Sequence, residues 1–356
     1  MRAGGDPIIR HSQGGETKGR AKVTRKVSWG VLGAAKIGVE KVIPAMQRGE
    51  NSRVDAIASR EIAKARAAAA ALGVARAYGS YDELLADPTI EAVYNPLPNE
   101  LHVPWTLRAL AAGKHVLCEK PIALDAAEAA ALIAAREKSG KLVAEAFMVR
   151  YHPQWRRARE IARSGAIGTV RAIQTFFSYS LTDAENIRNK PPGGGGLYDI
   201  GCYAILTARH IFAAEPTRVV AAVEFDRVFG TDRLSSALIE FPGDRHLTFT
   251  CATQLAAHQR VTIVGEAGRV EVAIPFNAPI DRPTRITIDS GADLFGGGAR
   301  VEEFPICDQY TLQGDAFSRA ILGEALWEFP IEDAVANMRV IDAAFRSGRS
   351  GGWERP

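Results

Sequence analysis

Residues 27–49 read VSWGVLGAAKIGVEKVIPAMQRG, and this stretch decides the fold. VSWGVLG reads as a β-strand and IGVEKVIPAMQRG as the helix after it, with Pro44 predicted to kink that helix. Between them Gly33-Ala34-Ala35-Lys36-Ile37-Gly38 fits G-x-G-x-x-G, except that Ala35 replaces the middle glycine. Alone the match is weak. It gains weight because it closes a strand and opens a helix, the context that a dinucleotide fingerprint requires. Backbone amides at that helix N-terminus would hold a pyrophosphate, and the Ala35 methyl is a small obstacle to its approach.

Outward from this unit, short β-branched runs alternate with Ala-rich helical runs, the signature of βαβ units on a parallel sheet. RVDAIAS (53–59) is the second strand, followed by the helix EIAKARAAAAALG (61–73), which closes on Gly73. A short segment with YDELLADP precedes the strand EAVYNPLP (91–98). The helix ELHVPWTLRALAAG then leads to the strand KHVLCEKP (114–121). LDAAEAAALIAAREKSG is a helix starting near Asp125 as N-cap and ending at Gly140, and KLVAEAFM completes six strands in about 120 residues. After Arg150 the texture changes to longer alternating segments: TVRAIQTFFSYSL, TRVVAAVEFD, SSALIEF, HLTFTCATQ, QRVTIVG and GRVEVAI. Such alternation marks antiparallel strands covered on one face.

The expected class is therefore α/β: an N-terminal Rossmann dinucleotide-binding domain plus a C-terminal α+β domain with a large, mainly antiparallel open sheet. A chain of 356 residues favours two domains over one. The boundaries expected are a flexible tail at 1–26, the nucleotide domain at 27–148, a substrate and oligomerisation domain at 149–330, and a C-terminal helix at 331–356 that packs back on the first domain. For the tail, an arm on a neighbouring subunit and an over-extended start are the alternatives.

Composition narrows the function. Lys and Arg total 44 against 41 for Asp and Glu, with no long single-sign run, which argues against nucleic acid as a partner. Cys118, Cys202, Cys251 and Cys307 show neither C-x-x-C pairing nor zinc spacing, so free thiols in a reducing, cytoplasmic compartment and no metal are expected. The tail lacks the apolar core of a signal peptide, and no apolar run approaches the roughly 20 residues of a membrane span.

Where an NAD site would carry an acid at the end of the second strand, this chain has Ser59-Arg60. Arg60 offers bidentate donors suited to a phosphate, Ser59 adds a hydroxyl, and Lys64 lies one turn along the next helix. The set favours NADP over NAD. At GKHVLCEKPIAL (113–124) a buried strand ends in Glu119, Lys120 and Pro121, where open α/β sheets bind ligands. In GGGGLYDIGCY (193–203), Asp199 and Tyr203 stand at i and i+4, so a helix puts them on one face. Gly201 between them, and the four glycines before, suit a close approach by a ligand.

The combination of CEKP, YNPLPNELH (94–102), AFMVRYHP (146–153) and GGGGLYDIGCY resembles the Gfo/Idh/MocA oxidoreductases, from about Val27 to the C-terminus. It is most similar to the branch of glucose-fructose oxidoreductase, dimeric dihydrodiol dehydrogenases and NADP-dependent xylose dehydrogenases. Many relatives carry His where this chain has Tyr203. The resemblance implies that Lys120 lies beside the nicotinamide and bonds the substrate oxygen, that Glu119 helps hold the cofactor ribose, and that Pro96, Leu97, Asn99 and His102 line the nicotinamide pocket. Tyr203 would then transfer the proton, its ionisation eased by the Lys120 charge, with Asp199 orienting the network. Arg150 and His152, with the NIRNKPPGG approach, are the expected specificity region. The activity implied is NADP(H)-dependent hydride transfer to or from a sugar or related cyclic polyol or diol, by a homodimer or homotetramer. A dinucleotide-dependent glycoside hydrolase of the same clan and a non-catalytic NADP sensor are the rival readings.

Overall fold

The computed structural model describes residues 25–356, so the expected tail lies outside the described residues apart from Arg25 and Lys26. Six parallel strands form the first sheet: β1 (Val27–Leu32), β2 (Ser52–Ala58), β3 (Arg76–Tyr78), β4 (Ala92–Asn95), β5 (His115–Cys118) and β6 (Val143–Glu145). Their order is β3-β2-β1-β4-β5-β6, the doubly wound arrangement in which the winding direction switches between β1 and β4. Every residue of β1 is buried, as a central strand covered on both faces requires. The strand not singled out in the sequence is β3, three half-buried residues at the edge.

The helices follow the expected punctuation. These are α1 (Ile43–Arg48), α2 (Ile62–Leu72), α3 (Tyr81–Ala86), α4 (His102–Ala111) and α5 (Ala126–Ser139). Gly73 and Gly140 close α2 and α5 in the left-handed region, and Asp125 caps α5 by accepting from Glu128 N. The disturbance expected at Pro44 takes the form of a change in winding. Gly38–Val42 is a π-helical turn, and α1 then begins with Pro44 in its first turn, where a missing N–H costs least.

The second sheet has eight strands: β7 (Val170–Ser180), β8 (Arg218–Phe225), β9 (Asp232–Phe241), β10 (Arg245–Ala252), β11 (Gln254–Gly265), β12 (Gly268–Val272), β13 (Thr284–Asp289) and β14 (Ala299–Phe304). Its order is β14-β13-β12-β11-β7-β10-β9-β8, antiparallel throughout except for the β7–β10 pair. Helices α6 (Pro153–Ser164) and α7 (Cys202–Phe212) cover one face, as the Phe177–Tyr203 ring contact records. Two helices tie this half of the chain to the first sheet. In α8 (Gln309–Ile321), which falls within the 149–330 span, Asp315 accepts from Glu50 N and Asn51 N at 2.9 Å each, and Ser318 Oγ accepts from Trp29 Nε1 at 3.1 Å. The long α9 (Ile331–Ser350) lies between α5 and β8. Glu332 pairs with Arg136 at 2.8 Å, Asp342 accepts from Ala126 N at 2.9 Å, and Ser347 Oγ accepts from Ala221 N at 2.9 Å.

Candidate active site

The carboxyl ends of β1, β4 and β5 are neighbours in the sheet, so the loops that leave them converge. Gly33 turns with φ +94°, and a Cβ there would lie 3.1 Å from Leu97, while one at Gly38 would lie 3.7 Å from Pro96. The loop after β4 thus packs directly on the glycine loop. Ala35, Lys36 and Ile37 form the helix start, with Lys36 exposed and loosely paired to Glu40 at 3.9 Å. At the end of β2, Ser59 is buried and accepts from Glu61 N at 3.3 Å, and Lys64 is bound to Glu61 at 2.6 Å. Arg60 is exposed, with its guanidinium in no ion pair among the described residues.

Lys120 leaves β5 just before a cis bond to Pro121. Its ammonium donates to the backbone oxygen of Asp199 and to Asp199 Oδ1 at 2.9 Å, and lies 5.1 Å from the centre of the Tyr203 ring. Both side chains of the pair are largely buried, 13 % and 16 % exposed. Burial alone would lower the Lys120 pKa, but the charge of Asp199 reverses this and raises it. Burial likewise favours protonated Asp199, but Lys120, Arg188 and the Tyr179 hydroxyl together pull it down to about 2. The pair is therefore ionised throughout the ordinary pH range. Tyr179, on β7, donates to Asp199 Oδ2, and Arg188, on the 3₁₀ turn Ile187–Asn189, stands 3.3 Å from the same oxygen. Neither residue is singled out by the sequence. Tyr179 is one position in an alternating strand, and Arg188 lies in the NIRNKPPGG approach with nothing to mark it among its neighbours.

Asp199 and Tyr203 do converge on Lys120, though not through one regular helix: Leu197–Gly201 is a π-helical turn and α7 starts at Cys202. Tyr203 is 6 % exposed, and its ring lies against Phe147, Phe177 and Phe276. Among the described residues its hydroxyl meets only the sulfur of Met148, at 3.6 Å. Burial, with the nearby Tyr310, Cys202 and Glu119, raises its pKa well above the ordinary value, so the expected easing of its ionisation by Lys120 is not found. A phenol in an apolar wall keeps its proton.

Other expected residues have different surroundings. Glu119 accepts from the Tyr94 hydroxyl, and burial raises its pKa. His102 is buried, with Nδ1 2.7 Å from Pro121 O and Nε2 2.7 Å from Leu97 O. It ties the loop after β4 to the loop after β5 and has no ring nitrogen left for a cofactor. Asn99 Nδ2 donates to Gly193 O at 2.6 Å, joining the first domain to the glycine run. Those glycines admit protein, not ligand: a Cβ on Gly195, at φ +115°, would collide with Asp232 Oδ1, and one on Gly201 would lie 3.0 Å from Cys251 Sγ. Arg150 and His152 also depart from the substrate role expected. Arg150 is buried, pairs with Asp333 and lies 4.1 Å over the Phe329 ring. His152 is buried as the N-cap of α6, with Nδ1 accepting from Gln154 N at 3.2 Å and Nε2 3.3 Å from Cys307 Sγ. All four cysteines are free thiols, and among the described residues no group of three or more His, Cys, Asp or Glu side chains could hold a metal ion. No described helix is long and apolar enough to cross a membrane.

A doubly wound sheet with a glycine loop at its switch point, a lysine at the end of β5 on the same edge, and a carboxylate partner from the π-helical turn before α7 defines a two-domain nicotinamide-nucleotide oxidoreductase. The chain belongs to the Gfo/Idh/MocA family: residues 27–147 match the model of the oxidoreductase family with NAD-binding Rossmann fold, and 155–271 match the Gfo/Idh/MocA C-terminal domain. It is 48% identical to an uncharacterized oxidoreductase, ORF334, of Rhizobium meliloti, over 92% of this chain and 98% of that one. It is 38% identical to D-xylose 1-dehydrogenase (NADP(+)) 2 of Haloferax volcanii, over 91% and 98%. Among solved structures, the aldose-aldose oxidoreductase of Caulobacter crescentus superposes with a TM-score of 0.86 at 27% identity, covering 93% of this chain and 100% of that one. The protein is an NAD(P)-dependent oxidoreductase.

Proposed function

We propose that this enzyme uses NADP(H) to transfer a hydride to or from a sugar or related cyclic diol, as a cytoplasmic homodimer or homotetramer. The observation that carries the reading is the buried, ionised Lys120–Asp199 pair at the end of β5, on the same edge of the sheet as the glycine loop after β1. The residues present fit a dinucleotide with a 2′-phosphate. Gly33 and the helix start at Ala35, Lys36 and Ile37 would take the pyrophosphate, and the unpaired guanidinium of Arg60, with Ser59, would take the third phosphate. Glu119, Pro96 and Leu97 complete the cofactor side.

The nicotinamide, when bound, supplies or accepts the hydride. The chain's own residues manage the oxygen and its proton. Asp199 occupies part of the ammonium of Lys120, which has three donors, so one N–H remains for the substrate oxygen. That charge stabilises an alkoxide as it develops. Tyr203 holds its proton firmly, and its only partner is a weak sulfur acceptor, so a substrate oxygen displaces that contact at little cost. The arrangement suits Tyr203 as proton donor in the direction of carbonyl reduction, with Lys120 as electrostatic partner. The sugar class is supported by the names of the xylose dehydrogenase and aldose-aldose oxidoreductase relatives. A panel of aldoses, 1,2-diols and 2-keto sugars assayed with NADP+ and NADPH tests the proposal. Stoichiometric change of cofactor with substrate is expected. Glycosidic cleavage without net cofactor change would make the protein a hydrolase, and no turnover across the panel would favour a sensor.

A further inference from the structure

Four buried side-chain nitrogens among the described residues have no hydrogen-bond partner: Arg150 Nε, Arg159 Nε, His210 Nε2 and Gln313 Nε2. Three of the four belong to residues that line one cavity of about 310 Å³ between α6, the end of α7 and the segment 328–329. Orphaned buried donors are costly, and Arg150 Nε and Arg159 Nε are two such donors on residues that line one hollow, with the ring of His210 beside them. The same cavity is lined by Arg156 and Arg163, so four arginines surround it. On α6, Arg156, Arg159 and Arg163 fall at i, i+3 and i+7, one face of the helix, and none of the three is in an ion pair among the described residues. Two carboxylates also line the cavity. Glu160 is held by Arg157 at 2.7 Å, and Glu328 is exposed. A third, Asp333, neutralises Arg150 from the α9 side while also holding Arg209 at 3.0 Å. The balance around the cavity is positive.

We propose that this cavity is a binding site for a phosphate group, separate from the nicotinamide cleft. Guanidinium forks match the paired oxygens of a phosphate, and Arg150 is itself 6 % exposed, fixed in place by Asp333 and by the Phe329 ring beneath it. None of the residues that line the cavity belongs to the Lys120–Asp199 cluster. The site therefore stands whether or not the enzyme proves specific for sugars. The shared chemistry is a phosphate dianion, carried either as the free ion or as a sugar phosphate ester, and the volume leaves room for the organic part of an ester.

The test titrates inorganic phosphate, a hexose phosphate and the neutral hexose calorimetrically into the full chain saturated with NADP, with ionic strength held constant by sodium chloride. Saturation with NADP keeps phosphate out of the dinucleotide site. Saturable phosphate binding is expected, weakened roughly ten-fold or more in Arg159→Met/Arg163→Met, with NADP affinity unchanged. Arg159 is half-buried, so Arg156→Gln/Arg163→Gln, which alters only exposed side chains, serves as the second variant and is expected to weaken binding in the same way. Tighter binding of the hexose phosphate than of phosphate identifies an ester, equal binding identifies the free ion, and either supports the site. Absence of saturable binding to the wild-type chain, or equal affinity in the folded variants, overturns it.

Discussion

Lys120 and Tyr203 face the same space by different physics. Asp199 keeps the lysine charged, and the aromatic wall keeps the tyrosine protonated. Tyr203→Phe should retain NADP binding and lower kcat for carbonyl reduction by about 10²–10⁴, the usual worth of a positioned acid. Lys120→Met should be at least as damaging to turnover yet remain folded, because Arg188 and Tyr179 still serve the Asp199 carboxylate. Acting as one unit, the two should not add in the double variant. The sign of the pH dependence follows from the raised Tyr203 and Lys120 pKa values and from an Asp199 value of about 2. Protonated donor, charged lysine and ionised aspartate all persist between about pH 5 and 9, so kcat/KM for reduction should be flat there. An inflection near neutrality that survives in Tyr203→Phe would hand the proton step to another group. At the cofactor end, Arg60→Ala should weaken NADP binding roughly 10- to 150-fold and leave NAD binding nearly unchanged. Equal losses for both dinucleotides, measured by fluorescence titration, would remove Arg60 from the phosphate site.

At the scale of elements, the Gly193–Gly196 run and the π-helical turn after it work as one joint. Gly193 meets Asn99 from the first domain, Gly195 and Gly196 meet Asp232 at the start of β9, and Gly201 lets the turn settle on Cys251 of β10. Asp232 Oδ2 accepts from Leu197 N at 2.8 Å, fixing the start of the turn that carries Asp199. Gly195→Ala would force a side chain into a backbone region that L-residues avoid and into the Asp232 carboxylate, at a cost of about 1–3 kcal/mol. Its denaturation midpoint should fall accordingly, and kcat should fall with it because Asp199 moves. A variant as stable as wild type with full activity would show that the joint tolerates bulk. His102 performs the equivalent service on the other side, bridging the loops after β4 and β5 with its two ring nitrogens.

Across the whole molecule, the second sheet presents two unlike faces. Phe177 points to Tyr203 and α7, while its neighbour Phe176 points the other way, against His258, into a concavity of about 640 Å³ that Leu238 and Thr250 also line. An open sheet face of this kind, where Phe176 and Leu238 stand among Thr248, Thr250 and His258, suits pairing with a second subunit. Sedimentation equilibrium at micromolar concentration should give a dimer or larger, and Phe176→Glu should shift the equilibrium toward monomer without changing NADP affinity. A wild-type monomer would count against this face as an interface.

Much of this was legible in local chemistry. The period-two runs, the glycine loop between strand and helix, and the caps at Asp125, Gly73 and Gly140 act over a few residues, so the sequence by itself determined the doubly wound sheet and the open sheet after it. β13, β14 and α8 were not singled out, although TRITID alternates and Asp308 caps α8, and α8 owes its place to Trp29, Glu50 and Asn51, more than 250 residues earlier in the chain. The Lys120–Asp199 meeting was foreshadowed by the family resemblance, but which oxygen Tyr179 and Arg188 would serve was not. Nor could sequence say that Arg150 and His152 are buried, that His102 is used up by two carbonyls, or that Tyr203 lies among Phe147, Phe177 and Phe276. Pairing and pKa depend on which distant groups exclude water from a side chain, and only the tertiary structure decided that.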